Sequence, residues 1–207
     1  MIVLRPLKMK DADGMFEWMK DEETQRCFQY PMGEKTKEDA IDFIINAKTG
    51  LEDGNSIHFA VADEQEEYIG TVSLKHYSSR DKNAEFAISL RPGSRGKGIG
   101  EEAIRKMLRL AFEEWEMEKV YLNVLPDNIR AVRLYERCGF LCEGEFYRHL
   151  YLHGKYQNVR WYGMVRGNYI SKFMDSRGGG RRIPGLLNYV LLPPNYLWNG
   201  KKGRWHK

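Results

Sequence analysis

An α/β fold, a mixed sheet of about seven strands covered by helices on both faces, is predicted by three observations. Seven segments alternate or run apolar in the manner of strands. Four segments with helical apolar spacing are interleaved with them instead of being gathered at one end. A glycine-rich turn, Arg95-Gly96-Lys97-Gly98-Ile99-Gly100, joins one apolar strand directly to a long amphipathic helix.

Taken in order, Ile2 to Leu7 alternates and reads as the first strand. Asp11-Ala12-Asp13 then offers capping chemistry for a helix to about Lys20. Thr36 starts a second helix to Lys48, with Ile41, Ile44 and Ile45 at helical spacing. Ile57, Phe59 and Val61 alternate in the strand Ser56–Ala62. The turn Asp63–Glu67 and the return strand Tyr68–Tyr77 complete a hairpin. Asn83–Leu90 is the strand before the glycine turn. The helix after it, Gly98 to about Glu116, carries Ile99, Ala103, Met107, Leu110 and Ala111 as one apolar stripe. A strand Lys119–Leu125, a helix Ile129–Cys138 and two long strands, Phe140–Leu152 and Tyr156–Arg166, follow.

A chain of 207 residues is long enough for one well-buried domain and short for two. Its hydrophobic fraction of 42% and charged fraction of 30% are those of an ordinary globular protein. No apolar run is long enough to span a bilayer, so no membrane association is expected. The N-terminal apolar run is too short for a signal peptide, and Asp11 and Asp13 follow it. Three sparse cysteines, Cys27, Cys138 and Cys142, argue for a reducing compartment and hence the cytoplasm. The net charge of +4 hides a split. Residues 1–166 carry 25 Lys and Arg against 28 Asp and Glu, whereas residues 167–207 carry eight basic residues and one acid, Asp175. Two regions are therefore expected: a folded body over 1–166 and a basic arm over 167–207. The arm holds Gly178-Gly179-Gly180 and Pro184, Pro193 and Pro194, which oppose regular structure, yet it is too apolar for a purely disordered tail.

Strand, glycine turn and helix make an anion site, because amides of the first helical turn lack intrahelical partners and glycines admit close approach. Arg95 and Lys97 are expected to add charge to it. The dinucleotide fingerprint fails, since the third glycine of Gly96-x-Gly98-x-Gly100 is misplaced, and no Ser or Thr completes a P-loop. What fits is R-x-x-G-x-G on Arg95, Gly98 and Gly100. Asn128-Ile129-Arg130-Ala131 begins 28 residues after Gly100 and runs on through Tyr135 to Gly139-Phe140. Together these segments resemble the [QR]-x-x-G-x-[GA] and N-x-x-A-x-x-x-Y-x-x-x-G-F motifs of the GNAT superfamily of acyl-CoA-dependent N-acetyltransferases. The pattern of Met1 to Arg166 is similar to the branch with ribosomal-protein N-terminal and spermidine acetyltransferases; the arm lies outside it.

The resemblance implies a GNAT-like, mostly antiparallel sheet and acetyl-CoA as donor, with no metal. It implies direct attack by a primary amine in a ternary complex. Such an amine has a pKa near ~10 and must lose a proton, the oxyanion needs a donor, and the departing thiolate needs a proton. Tyr135 falls where the family places its thiolate-protonating tyrosine; the alternative is an aromatic that only packs. Glu85 interrupts its strand and is the base candidate, through a water. It reads equally as a solvent-facing strand residue, and a water chain could serve instead. Asn128 caps its helix and, by resemblance, contacts the pantetheine arm. Ile88, Ser89 and Leu90 are implied to offer backbone amides to that arm, beside Arg95, Gly96, Lys97, Gly98, Ile99 and Gly100 on the phosphates. Arg130 and Arg133 read as solvated helix charges. Cys138-x-x-x-Cys142 lacks zinc spacing and the five histidines show no metal-ligand pattern. Asp21-Glu22-Glu23 reads as a solvated helix end or as an attractor for a polycation. The acceptors left open are a protein N-terminus, a polyamine and an amino sugar. The rival function is a non-catalytic module that binds nucleic acid, or the ribosome, through the arm; the arm could also serve a homodimer.

Overall fold

A computed structural model describes residues 1–30, 32–174, 197–199 and 204–206. Seven strands form one sheet: β1 (Val3–Arg5), β2 (Ile57–Ala62), β3 (Tyr68–Ser78), β4 (Asn83–Leu90), β5 (Lys119–Val124), β6 (Leu141–Leu152) and β7 (Lys155–Val165). Their order is β1-β2-β3-β4-β5-β7-β6, and every neighbouring pair except β4–β5 is antiparallel. Six helices accompany them: α1 (Ala12–Lys20), α2 (Glu22–Cys27), α3 (Lys37–Asn46), α4 (Ile99–Arg109), α5 (Ile129–Cys138) and α6 (Arg166–Phe173). The mixed sheet with helices on both faces is the arrangement the sequence predicts.

Alternation along the strands explains why both faces are covered. In β2, Ala60 packs with Met15, Trp18 and Met19 of α1 and with Ala40 and Ile44 of α3. Val61, one residue on, points the other way into a larger core with Ile104, Met107 and Leu108 of α4 and Val132 and Cys138 of α5. Helix α3 begins where the sequence indicates: Thr36 and Asp39 satisfy each other's backbone amides in a capping box. The α4 stripe is broader than predicted. Its buried face centres on Ala103, Ile104, Met107 and Leu108, and Ile99 and Leu110 lie at its flanks. The helix then widens into a π-helical turn, Leu110–Glu114, that buries Ala111 and Phe112.

Two features depart from the sequence reading. Helix α2 was not anticipated, because six residues carry too little periodicity to register. Helix α6 straddles the division placed after Arg166. Its Tyr169 is buried, with its ring centroid 4.9 Å from that of Phe112, so core packing continues past that division. Most of the arm lies outside the described residues; Leu197–Asn199 and Arg204–His206 pair as two short antiparallel strands.

The functional geometry comes from one local failure of pairing. β4 and β5 are matched over only three residues, Asn83↔Lys119 to Glu85↔Tyr121. β4 remains paired to β3 as far as Gly70↔Leu90, and β5 remains paired to β7 as far as Val124↔Arg160. Each strand therefore follows its outer neighbour and a wedge opens between them. Backbone groups of Phe86–Leu90 on that edge have no strand partner and are available to a ligand.

Candidate active site

The wedge leads down to the glycine turn. Gly96 and Gly98 adopt φ of +77° and +79°, a region costly for residues with a Cβ. Nothing stands within 4 Å of where a Cβ would lie at either position. Gly98 is the N-cap of α4, so amides of the first α4 turn face the open cradle. Gly100 is buried, and a Cβ there would meet Leu134 Cδ2 at 3.1 Å. The turn thus fits a diphosphate that approaches backbone directly.

A cavity of about 330 Å³ runs from this cradle along the wedge. It unites ten of the twelve predicted residues: Glu85, Ile88, Ser89, Leu90, Arg95, Gly96, Gly98, Gly100, Asn128 and Tyr135. Lys97 is exposed and Ile99 packs against the core, so neither side chain lines it. The Arg95 guanidinium does not stand free over the cradle, as its charge alone suggests. It lies 2.6 Å from Asp21 and 3.0 Å from Glu23, and also bonds Thr24. Asp21 is the N-cap of α2 and accepts from the Thr24 amide at 2.9 Å. Burial pushes the Asp21 carboxyl up, but hydrogen bonds from Thr24 and Arg95 outweigh it and hold the carboxyl below its usual value. The acidic run is therefore a clamp on Arg95, and Glu23 also meets Arg130 at 3.0 Å.

Tyr135 is set by α5. Asn128 caps that helix by accepting from the Ala131 amide at 3.1 Å, and two turns later Tyr135 points to the cavity. Phe86 and Phe140 flank its ring, with centroids 6.4 Å and 6.0 Å away. Burial drives the phenol well above its ordinary pKa, so the hydroxyl stays protonated across the physiological range.

Glu85 sits where pairing ends. Lys75 of β3 is 2.8 Å from its Oε1, His76 is 3.8 Å from its Oε2, and Asn123 of β5 donates to it at 3.4 Å. Gln29 in turn bonds Asn123. Sequence reasoning missed Lys75, Asn123 and Gln29. The signal that would have found Lys75 is register, since Lys75↔Glu85 are direct partners across β3–β4. Beyond β4 a second cavity of about 320 Å³ adjoins the first; Phe28, Tyr30, Lys75 and Ala87–Ser89 line both.

A model of the acetyltransferase (GNAT) domain matches residues 2–141, which include the wedge, the cradle and Tyr135. The chain belongs to the GNAT acetyltransferases. It is therefore an acyl-CoA-dependent N-acetyltransferase with acetyl-CoA as donor, and the cradle and wedge described above fit that group. The GNAT chain is 33% identical over 122 residues to the spermidine N(1)-acetyltransferase of Vibrio cholerae serotype O1, covering 59% of this chain and 70% of the relative. It is 31% identical over 97 residues to a putative ribosomal N-acetyltransferase of Bacillus subtilis, covering 47% of this chain and 53% of that one. The crystal structure of spermidine N-acetyltransferase from Vibrio cholerae in complex with CoA and spermine superposes with a TM-score of 0.73 at 26% identity, covering 82% of this chain and 98% of that one. Among the described residues no cluster of three or more His, Cys, Asp or Glu could hold a metal, and no helix could cross a membrane.

Proposed function

We propose that this GNAT enzyme moves the acetyl group of acetyl-CoA to the primary amine of a small molecule, by direct attack within a ternary complex. The observation that carries this reading is the meeting of Tyr135, Glu85 and the unpaired edge of β4 in one cavity above the glycine cradle. Bound acetyl-CoA supplies an activated carbonyl carbon. The cradle amides of Gly98–Gly100 hold its diphosphate, and the open edge of Ile88–Leu90 orients the arm that bears the thioester. An amide of that edge polarises the carbonyl as negative charge grows on its oxygen.

The amine nitrogen bonds to the carbonyl carbon and the carbon–sulfur bond breaks. Tyr135, kept protonated by burial, gives its proton to the departing sulfur and regains one from solvent. Glu85 receives the proton lost by the amine, relayed through water. Asn123 and Lys75 hold the Glu85 carboxylate in the first cavity, and Lys75 also lines the second.

Names of the relatives support a small amine and put polyamines first among acceptors to be tried. They give no support to a nucleic-acid-binding module. The test is acetyl-CoA-dependent thiol release over a panel of polyamines, aliphatic and aromatic monoamines, amino sugars and N-terminal peptides, with the acetylated product identified by mass. Turnover of one small-amine class is expected. Turnover of peptides alone overturns the reading.

A further inference from the structure

The second cavity adjoins the first across β4 and is enclosed by α1, α3 and strands β2–β4. Its walls are apolar: Met15, Trp18 and Met19 from α1, Phe28 and Met32 from the α2–α3 connection, and Phe43 from α3. The charged groups that face it are Lys35 and Asp39, which pair with each other, and Lys75, which pairs with Glu85, so the pocket offers no unpaired carboxylate. His58 also faces it and adds no charge, because burial first and Lys75 second hold its imidazole down to about 4.

A polyamine brings two or more ammonium groups that need carboxylates. Four carboxylates line the two cavities among the described residues, and each is already engaged. Asp39 is 3.0 Å from Lys35, Glu85 is 2.8 Å from Lys75, Glu23 is 3.0 Å from Arg95 and from Arg130, and Glu101 is 2.8 Å from Arg105. Aromatic rings could receive an ammonium by their faces. Here those faces are partly spent on each other: Trp18 stacks on Phe28 at 5.7 Å, and Phe43 meets His58 edge-on at 4.6 Å.

We infer that the acceptor is a primary monoamine with an aromatic or branched apolar body, seated in this pocket with its nitrogen toward Glu85. The inference rests on the small-amine reading above and departs from the polyamine acceptors named for the relatives. Apolar walls bury the body of such a molecule. Desolvation by the apolar walls disfavours an ammonium, so the pocket favours the neutral amine that can attack. A polycation would face the same penalty at each of its charges, with no free carboxylate to offset it.

The experiment compares kcat/KM for phenethylamine, tryptamine and isopentylamine with that for putrescine, spermidine and spermine, at saturating acetyl-CoA. At least one monoamine is expected to exceed every polyamine by tenfold or more. Phe43, about one-third exposed, can be altered without opening the core. Phe43→Ala is expected to raise KM for phenethylamine by about tenfold with kcat nearly unchanged. Phe43→Glu is expected to lower kcat/KM for phenethylamine and to raise it for spermidine. A polyamine preference of tenfold in the unaltered enzyme, or equal effects of Phe43→Ala on both classes, overturns the inference while leaving the small-amine reading intact. Turnover of neither class, nor of amino sugars, by an enzyme that acetylates N-terminal peptides overturns the small-amine reading itself.

Discussion

Lys75 Nζ stands 2.8 Å from Glu85 Oε1, at the point where β4 parts from β5 and the two cavities meet. Cross-strand register places them together, and Lys75 lines both cavities. Glu85→Gln keeps the shape and the Asn123 contact but removes the proton acceptor. The expected result is a fall in kcat of ~10²-fold, with acetyl-CoA affinity within about twofold. An unchanged kcat would show that water alone removes the amine proton.

Tyr135→Phe removes only the hydroxyl from a ring held between Phe86 and Phe140. Turnover should fall by ~10²-fold or more while acetyl-CoA affinity and melting temperature hardly move. Because burial raises the phenol above its ordinary range, Tyr135 stays protonated at alkaline pH. No loss of kcat assignable to Tyr135 is therefore expected up to about pH 10. Wild-type turnover in the phenylalanine variant would remove Tyr135 from the proton-donor role.

Gly98→Val forces a β-branched residue to φ +79° at the α4 N-cap and puts its methyls into the cradle. Acetyl-CoA binding, measured by calorimetry, should weaken by at least ~10²-fold, beyond the backbone strain of ~1–3 kcal/mol. Circular dichroism should show a fold otherwise retained. Binding at wild-type strength would refute the cradle as the diphosphate site.

His58 gives the stability a defined pH dependence. Its pKa is about 4 in the fold and ~6.5 in the unfolded chain, so the unfolded state binds more protons between those values. The contribution is whole above about pH 6.5 and is lost as pH falls towards about 4. Melting temperature should drop from pH 7 to pH 5, and His58→Gln should flatten that slope. An identical slope in the variant would mean that His58 is protonated freely in the fold.

Asp11→Asn tests the anchor of α1. Arg5 and Asp11 form a two-pronged pair at 2.7 Å and 2.8 Å with almost no solvent exposure, and Asp11 also accepts from the Lys8 amide at 2.8 Å. Removing one charge strands the other, at a cost of about 3–5 kcal/mol in denaturant unfolding. A loss below about 1 kcal/mol would place the pair among weak surface bridges.

Where local signals are dense, the sequence alone determined the answer. Thr36 and Asp39 announce α3, Asn128 announces α5, and both begin where the capping residues put them. Alternation set β2, β3 and β4 to within a residue or two, because a half-buried strand must segregate its faces. The glycine cradle and the Asn128 cap were legible because backbone geometry and capping depend on residue type at fixed offsets, whereas Tyr135 was legible only through the resemblance to the GNAT motif.

Only the tertiary structure decided what the charged groups do. Arg95 is read from sequence as a free phosphate ligand, yet it is bound to Asp21 and Glu23 on a six-residue helix with no periodicity to betray it. Glu85 is equally a base or a surface residue until the register brings Lys75 to it. The apolar second cavity draws Met15, Phe28, Phe43 and His58 from separate elements. Capping and alternation act over a few residues and are written locally. Ion pairing and pocket walls act across the sheet, so their partners meet only when separate elements pack.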